Sequence, residues 1–252
     1  MSELEFKVQN MVRTYKGTIP ILLTCGHGGT KEIPGVPERN GSNIPDICKR
    51  QFEKDTDKRT LPISNGLAQQ IRKLTNGDPY RVEFLGDRLY IDVNREKKCG
   101  CEVPQAEIHF EAYHSAISQF VQEIRNNNTC GNRLVFLFDI HGKRDNTTDI
   151  SVGTRNESTI EPMVKFNPGW GWDYKFGLLE LLIKRGYSIT PGAPCAEDDI
   201  RYPGGYTVRT HGGWQIEISF SIRNSKSKRE RLVKNLADII STFYKHNCLL
   251  PK

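Results

Sequence analysis

The stretch "LVFLFDIHG" (134–142) carries buried-strand character through Ile140, broken only by Asp139, and runs into a histidine followed by glycine. A second run, "PILLTC" (20–25), leads into "GHGGT" (26–30) in the same manner. Continuous apolar runs of this length suit strands covered on both faces, the usual state of a parallel sheet packed between helices. Between these runs the spacing predicts helices over 65–75, 105–125, 174–185 and 225–245, with Gly186 stopping the third. Ala106, Phe110, Tyr113, Ile117, Phe120 and Ile124 recur on one face of the second helix. Further strands are expected at 80–84, 88–93, 206–209 and 215–219. The alternation of strands and helices makes the chain an α/β protein, a three-layer sandwich with a mixed, mostly parallel central sheet and helices on both faces.

The whole chain agrees with that reading. Its 252 residues are 37% hydrophobic and 26% charged, enough for one large domain with a well-buried core, and no repeat, low-complexity tract or long linker divides residues 1–252. No segment approaches the roughly 20 apolar residues of a membrane span, and "MSELEFKVQNMVRTYKG" (1–17) is too charged for a signal peptide, so a cytoplasmic location is expected. Seven scattered cysteines, an odd number, do not read as a disulfide framework, and Cys99 and Cys101 read as loop thiols. The net charge of +6 has its densest cluster in "NSKSKRERLVK" (224–234), where Leu232, Leu236, Ile239, Ile240 and Phe243 recur at helical spacing. The basic residues are then the wet face of a helix, and no nucleic-acid partner is expected.

Open sheets of this kind bind ligands just beyond the carboxyl ends of their strands, and four segments place polar residues there. His27 and His141 each follow an apolar strand and would emerge at one edge if the strands are parallel neighbours, a metal-ligand arrangement; the alternative is a pair of hydrogen-bonded loop histidines. Asp139 can orient His141 if it lies on the same side. In "GDRLYIDVNRE" (86–96), Arg88, Asn94 and Arg95 surround an apolar segment, and an arginine there can fork onto a carboxylate or form a surface ion pair. In "GGYTVRTHGGWQIEISFS" (204–221), Glu217 lies between Ile216 and Ile218, and a partly buried carboxyl of that kind acquires the raised pKa of a general base.

Taken in order, "HGGT" (27–30), "DRLYIDVNR" (87–95), "DIHG" (139–142) and "GGYTVRTHGGWQIEIS" (204–219) resemble the N-formylglutamate amidohydrolase family, whose fold is akin to the zinc carboxypeptidases and aspartoacylases. The resemblance implies one zinc ion per chain held by His27 and His141, Glu217 as the base toward water, and Arg95 with Asn94 as a clamp for a substrate carboxylate. For the third ligand it points to the acidic "DTDKRT" (55–60) and so to Asp57, with Glu32 and Asp55 as rivals. Arg88 or Arg209 would stabilise an oxyanion, and His211 would assist binding or serve as a structural loop histidine. The implied reaction is hydrolysis of an N-formyl or N-acyl amino acid, a small carboxylate-bearing amide. A metallocarboxypeptidase or peptidoglycan-type amidase is the rival within enzymes, and a non-catalytic binder of small carboxylates is the rival outside them. Trp170, Trp172 and Trp214 lie in or beside glycine-rich segments, as packing anchors or as walls of a pocket.

Overall fold

The computed structural model describes residues 10–127, 134–166, 177–192 and 197–248. Its strands are β1 (Val12–Tyr15), β2 (Ile19–Cys25), β3 (Pro79–Phe84), β4 (Phe136–Gly142), β5 (Ile150–Gly153), β6 (Ile189–Thr190) and β7 (Trp214–Ile218). Its α-helices are α1 (Asp46–Lys49), α2 (Thr60–Thr75), α3 (Lys97–Gly100), α4 (Pro104–Asn127), α5 (Glu161–Phe166), α6 (Leu178–Lys184), α7 (Tyr206–His211), α8 (Phe220–Asn224) and α9 (Lys226–Cys248). The seven strands form one sheet in the order β1-β3-β2-β4-β7-β5-β6. β3, β2, β4 and β7 are parallel to one another, while β1 and β5 pair antiparallel with β3 and β7, and β6 runs with β5.

Side-chain alternation along the parallel strands builds both flanking layers. Ile19, Ile21 and Leu23 of β2, Phe136, Phe138 and Ile140 of β4, and Trp214, Ile216 and Ile218 of β7 pack against α2, α6 and α9. On the opposite face Leu22, Val82, Phe84 and Leu137 meet the apolar side of α4 and Val208 of α7. Near the strand ends this second face changes character, because Thr24, Asp139, His141, Gln215 and Glu217 take the same alternate positions and are buried there. The polar site is thus cut into the α4 side of the sheet.

The long elements lie where the spacing predicts them, and Gly186 ends α6 in a left-handed conformation at φ 79°. The expected helix residues 174–176, and with them Trp170 and Trp172, lie outside the described residues. Two expected strands are not strands. Residues 88–93 form successive turns, because Ile91 and Val93 enter the core while Asp92 and Asn94 turn to partners outside any ladder. Residues 206–209 belong to α7, whose first amides are taken up by Asn94: Tyr206 N donates to its carbonyl and Thr207 N to its Oδ1. Trp214 opens β7 as a core anchor, stacked on Phe138 at 5.1 Å between ring centroids. The short strands β1, β5 and β6 have no counterpart in the apolar pattern.

Cys99 is not a loop thiol. It is joined to Cys48 by a disulfide across a sequence separation of 51, and Cys248 is also disulfide-bonded, whereas Cys25 and Cys101 are free. The expectation that the scattered cysteines form no disulfides is therefore overturned for Cys48, Cys99 and Cys248; among the described residues no helix is long and apolar enough to cross a membrane. The Cys48–Cys99 bond ties the segment leading to Asp57 to the segment following Asn94. Closing a loop of that size removes about 4 kcal/mol of unfolded-chain entropy. Replacing both cysteines by serine is expected to lower Tm by on the order of 10 °C, and an unchanged melting curve would show that the loops hold each other without it.

Candidate active site

His27 stands two residues beyond the end of β2, and His141 lies within β4, next to it in the sheet. Their ring centroids are 4.7 Å apart at an interplanar angle of 75°. Asp57 reaches them from the segment preceding α2, and its amide donates to the His27 carbonyl at 2.9 Å. Gly28 permits that approach, since a Cβ there would lie 2.5 Å from Thr60 Oγ1 and 2.9 Å from the Leu61 amide nitrogen. The Asp57 Oδ2 atom lies 3.0 Å from His141 Nδ1 and 3.6 Å from His27 Nδ1, and it also accepts from the Gly142 amide at 3.0 Å.

Each imidazole is oriented from behind by a carboxylate. His27 Nε2 donates to Asp92 Oδ1 at 2.7 Å, and His141 Nε2 donates to Asp139 Oδ2 at 2.8 Å. Asp92 is in turn gripped by Arg88, through Nε at 3.0 Å and Nη2 at 2.8 Å, and Asp139 accepts from Thr24 Oγ1 at 2.7 Å. The two Nδ1 atoms and the Asp57 carboxylate consequently face one another, all within 4.8 Å and all on buried residues. Two imidazole nitrogens with tautomers set by carboxylates, plus one carboxylate oxygen, are a donor set that fits a divalent cation such as zinc.

The charges agree with this geometry. Burial alone would raise the Asp57 pKa, but the hydrogen bonds and charges of His141 and His27 outweigh it and hold it far below the ordinary range. Burial also opposes charge on His141, yet Asp139 and Asp57 raise its pKa well above the usual imidazole value. Asp92 and Asp139 are lowered against their burial, chiefly by the charges of Arg88 and His141 respectively. Glu217 moves the other way. Burial pushes it up to about 7, with His141 lowering it and Asp57 raising it.

Glu217 is the register partner of His141 on the neighbouring parallel strand. Gln215 Nε2 donates to Glu217 Oε1 at 2.8 Å, and Gln215 Oε1 accepts from Asn94 Nδ2 at 3.0 Å and from the Gly205 amide at 2.7 Å. Two donors on its oxygen fix which way the Gln215 amide points. Glu217 Oε1 is thus an acceptor, leaving Oε2 as the atom that can carry a proton.

Set beside known proteins, the chain aligns over 94% of its length with 99% of an N-formylglutamate amidohydrolase from Ralstonia eutropha JMP134, at a TM-score of 0.63 and 15% identity. The two proteins share a fold. A gene product from Agrobacterium tumefaciens shares it, with 93% of this chain covering 98% of that one at a TM-score of 0.58 and 13% identity. No protein-family model and no curated protein sequence matches the chain.

On this fold the remaining candidates are distributed unequally. Glu32 is exposed and stands outside the His27, Asp57 and His141 group, and Asp55 is exposed and paired with Arg144. Arg88 is buried with two guanidinium nitrogens on Asp92, and Asn94 has both ends of its amide engaged, by Thr207 N and by Gln215. Arg95 differs: Nη1 donates to the Asn94 carbonyl at 3.2 Å, while its buried Nε has no partner among the described residues. Arg209 sits on the rim of an open cleft of about 520 Å³, lined also by Glu96, Lys97, Lys98, Tyr206 and Thr210, and lies 3.6 Å from Glu96. His211 Nε2 donates to His114 Nδ1 at 3.0 Å, because His114 Nε2 donates to the Val93 carbonyl. Burial, followed by the nearby His114, lowers His211 to about 4, so it stands neutral as a structural contact.

Asp92 and Gln215 are the site residues that sequence reasoning passed over. Asp92 carried the same signal that singles out Glu217, a carboxylate between two buried aliphatic residues, here Ile91 and Val93. Gln215 had no such signal, since an uncharged amide in a strand is unremarkable until its partners are known.

Proposed function

We propose that the protein is a zinc-dependent amidohydrolase that cleaves the amide bond of an N-formyl or N-acyl amino acid. The observation that carries this reading is the buried His27, Asp57 and His141 group set beside a carboxyl, Glu217, whose pKa of about 7 suits it to take and return a proton at neutral pH. Those three residues would hold a zinc ion, which would supply Lewis acidity and the means to lower the pKa of water from 15.7 to about 7. The chain's own groups do the rest. Glu217 accepts the proton of the attacking water at Oε2 and delivers it to the leaving nitrogen. Asp92 and Asp139 keep both imidazoles with Nδ1 turned inward, and Arg88 acts on His27 through Asp92. Arg95, a partly exposed guanidinium with Nη1 on the Asn94 carbonyl, meets the free carboxylate of the substrate and so positions the neighbouring amide.

Elemental analysis of purified protein, followed by a screen of N-acyl amino acids and short peptides for amine release, tests the proposal. One equivalent of zinc is expected, together with turnover that a chelator removes and added metal restores. Ligand binding that survives chelation without any turnover would reassign the protein as a binder, and release from peptides alone would make it a peptidase. Arg95→Ala is expected to raise KM by about 10- to 100-fold for substrates with a free carboxylate, the loss of roughly one charge-assisted hydrogen bond. Equal KM changes for the corresponding carboxamide substrates would remove Arg95 from carboxylate recognition.

A further inference from the structure

Arg223 of α8 is buried behind the site, and its hydrogen bonds run to main-chain carbonyls: Nε donates to Ile218 O at 3.0 Å, Nη1 to Lys58 O at 2.7 Å and Nη2 to Lys143 O at 2.9 Å. The choice of carbonyls is informative. Lys58 follows Asp57, Lys143 lies two residues beyond His141, and Ile218 follows Glu217. A single rigid cation therefore touches the backbone beside Asp57, His141 and Glu217, three of the four segments that deliver a ligand or the base, the His27 segment being the one it does not reach. Its face rests against Gly142, where a Cβ would come within 2.4 Å of both Nε and Cζ, so the residue after His141 has to lack a side chain. A guanidinium taken from water and satisfied by carbonyls rather than a carboxylate is justified by geometry, since its planar fork offers donors in several fixed directions at once.

We propose that Arg223 is a positioning residue that holds Asp57, His141 and Glu217 in one frame by clasping the carbonyls of Lys58, Lys143 and Ile218. The inference rests on the metal-hydrolase reading, and its principal test needs no substrate. Metal-free wild-type protein, Arg223→Ala and Arg223→Lys are titrated with Co2+, whose absorption spectrum reports coordination geometry. Wild type is expected to bind one equivalent, Arg223→Ala to bind about 10- to 100-fold more weakly with an altered spectrum, as loss of an outer support commonly does, and Arg223→Lys to fall between. Millimolar guanidinium is expected to restore the alanine variant, which a general loss of stability would not allow. With an active substrate in hand, kcat falls while KM stays within about twofold, because Arg95 is untouched.

Should Arg223→Ala fail to fold, Arg223→Lys and Gly142→Ala carry the test, the latter by displacing the guanidinium without deleting it; both are expected to weaken Co2+ binding. Wild-type affinity and spectrum in folded Arg223→Ala, or in both substitutes, overturn the role of Arg223 alone. A wild-type protein that takes up no Co2+ overturns the metal reading and this inference with it.

Discussion

Glu217→Gln is expected to reduce kcat by about 10²- to 10⁴-fold, the range lost with a positioned proton-transfer group, while bound zinc and KM stay close to wild type. The side chain is isosteric, and Glu217 is not one of the three residues whose ligand atoms converge. Its Oε1 contact with Gln215 is the one liable to change, because the new amide can turn either end toward Gln215 Nε2. What the variant removes is the proton acceptor at Oε2. The same substitution has a signature in stability. In the metal-free protein burial raises the Glu217 pKa to about 7, above its unfolded value, so the folded state binds the proton more tightly. That contribution is fully present below the unfolded pKa of about 4.3 and is lost as pH rises through about 7. Urea denaturation of metal-free protein at pH 4.5 and 7.5 should show wild type losing stability relative to Glu217→Gln over that interval. Undiminished turnover in the glutamine variant would end the assignment of Glu217 as the base, whatever its pKa.

His141→Ala should have the second large effect, on metal rather than on proton transfer. It removes one of two ligand nitrogens, so the fall in zinc affinity should exceed the 10- to 100-fold typical of an outer partner. Stability should fall as well, because Asp57 and Asp139 both pair with His141 and would be left as buried carboxylates short of a partner. The wild-type site carries a related pH dependence. Asp139 and Asp57 hold His141 protonated well above its ordinary pKa, and metal uptake has to displace that proton. Affinity is therefore expected to weaken by about tenfold for each pH unit lowered below that pKa, in a Zn2+ or Co2+ titration. A full equivalent of zinc retained by folded His141→Ala would place the metal elsewhere in the chain.

Several features of this site were legible before any coordinates. The two apolar runs ending near His27 and His141 suit buried strands of a parallel sheet, and the condition that they be parallel neighbours is met by β2 and β4, with Ile21 opposite Phe136 and Thr24 opposite Asp139. Glu217 stands out because a carboxylate flanked by Ile216 and Ile218 needs a reason to be buried. Asp139 could orient His141 only if both lay on one side, and they do because the strand runs on through His141 to Gly142, which puts the two on one face by the two-residue alternation.

Other features depend on groups that meet only in three dimensions. Residues 88–93 alternate as a strand should, yet they pair with no strand, and Arg88, Asp92 and Asn94 find their partners in a turn instead. Residues 206–209 carry the β-branched pair Thr207 and Val208 but become helical, with Asn94 receiving the first amides. The disulfide between Cys48 and Cys99 could not be read from spacing, since pairing depends on where two loops come to rest.

By itself the sequence determined the alternation of buried strands and amphipathic helices, and with it the sheet edge at which polar residues collect, because those follow from local periodicity and burial. The tertiary structure decided which of the acidic residues joins the two histidines and which arginine buttresses the carboxylate behind His27. Those outcomes turn on distances of about 3 Å between segments far apart in the chain, and local periodicity carries no information about such distances.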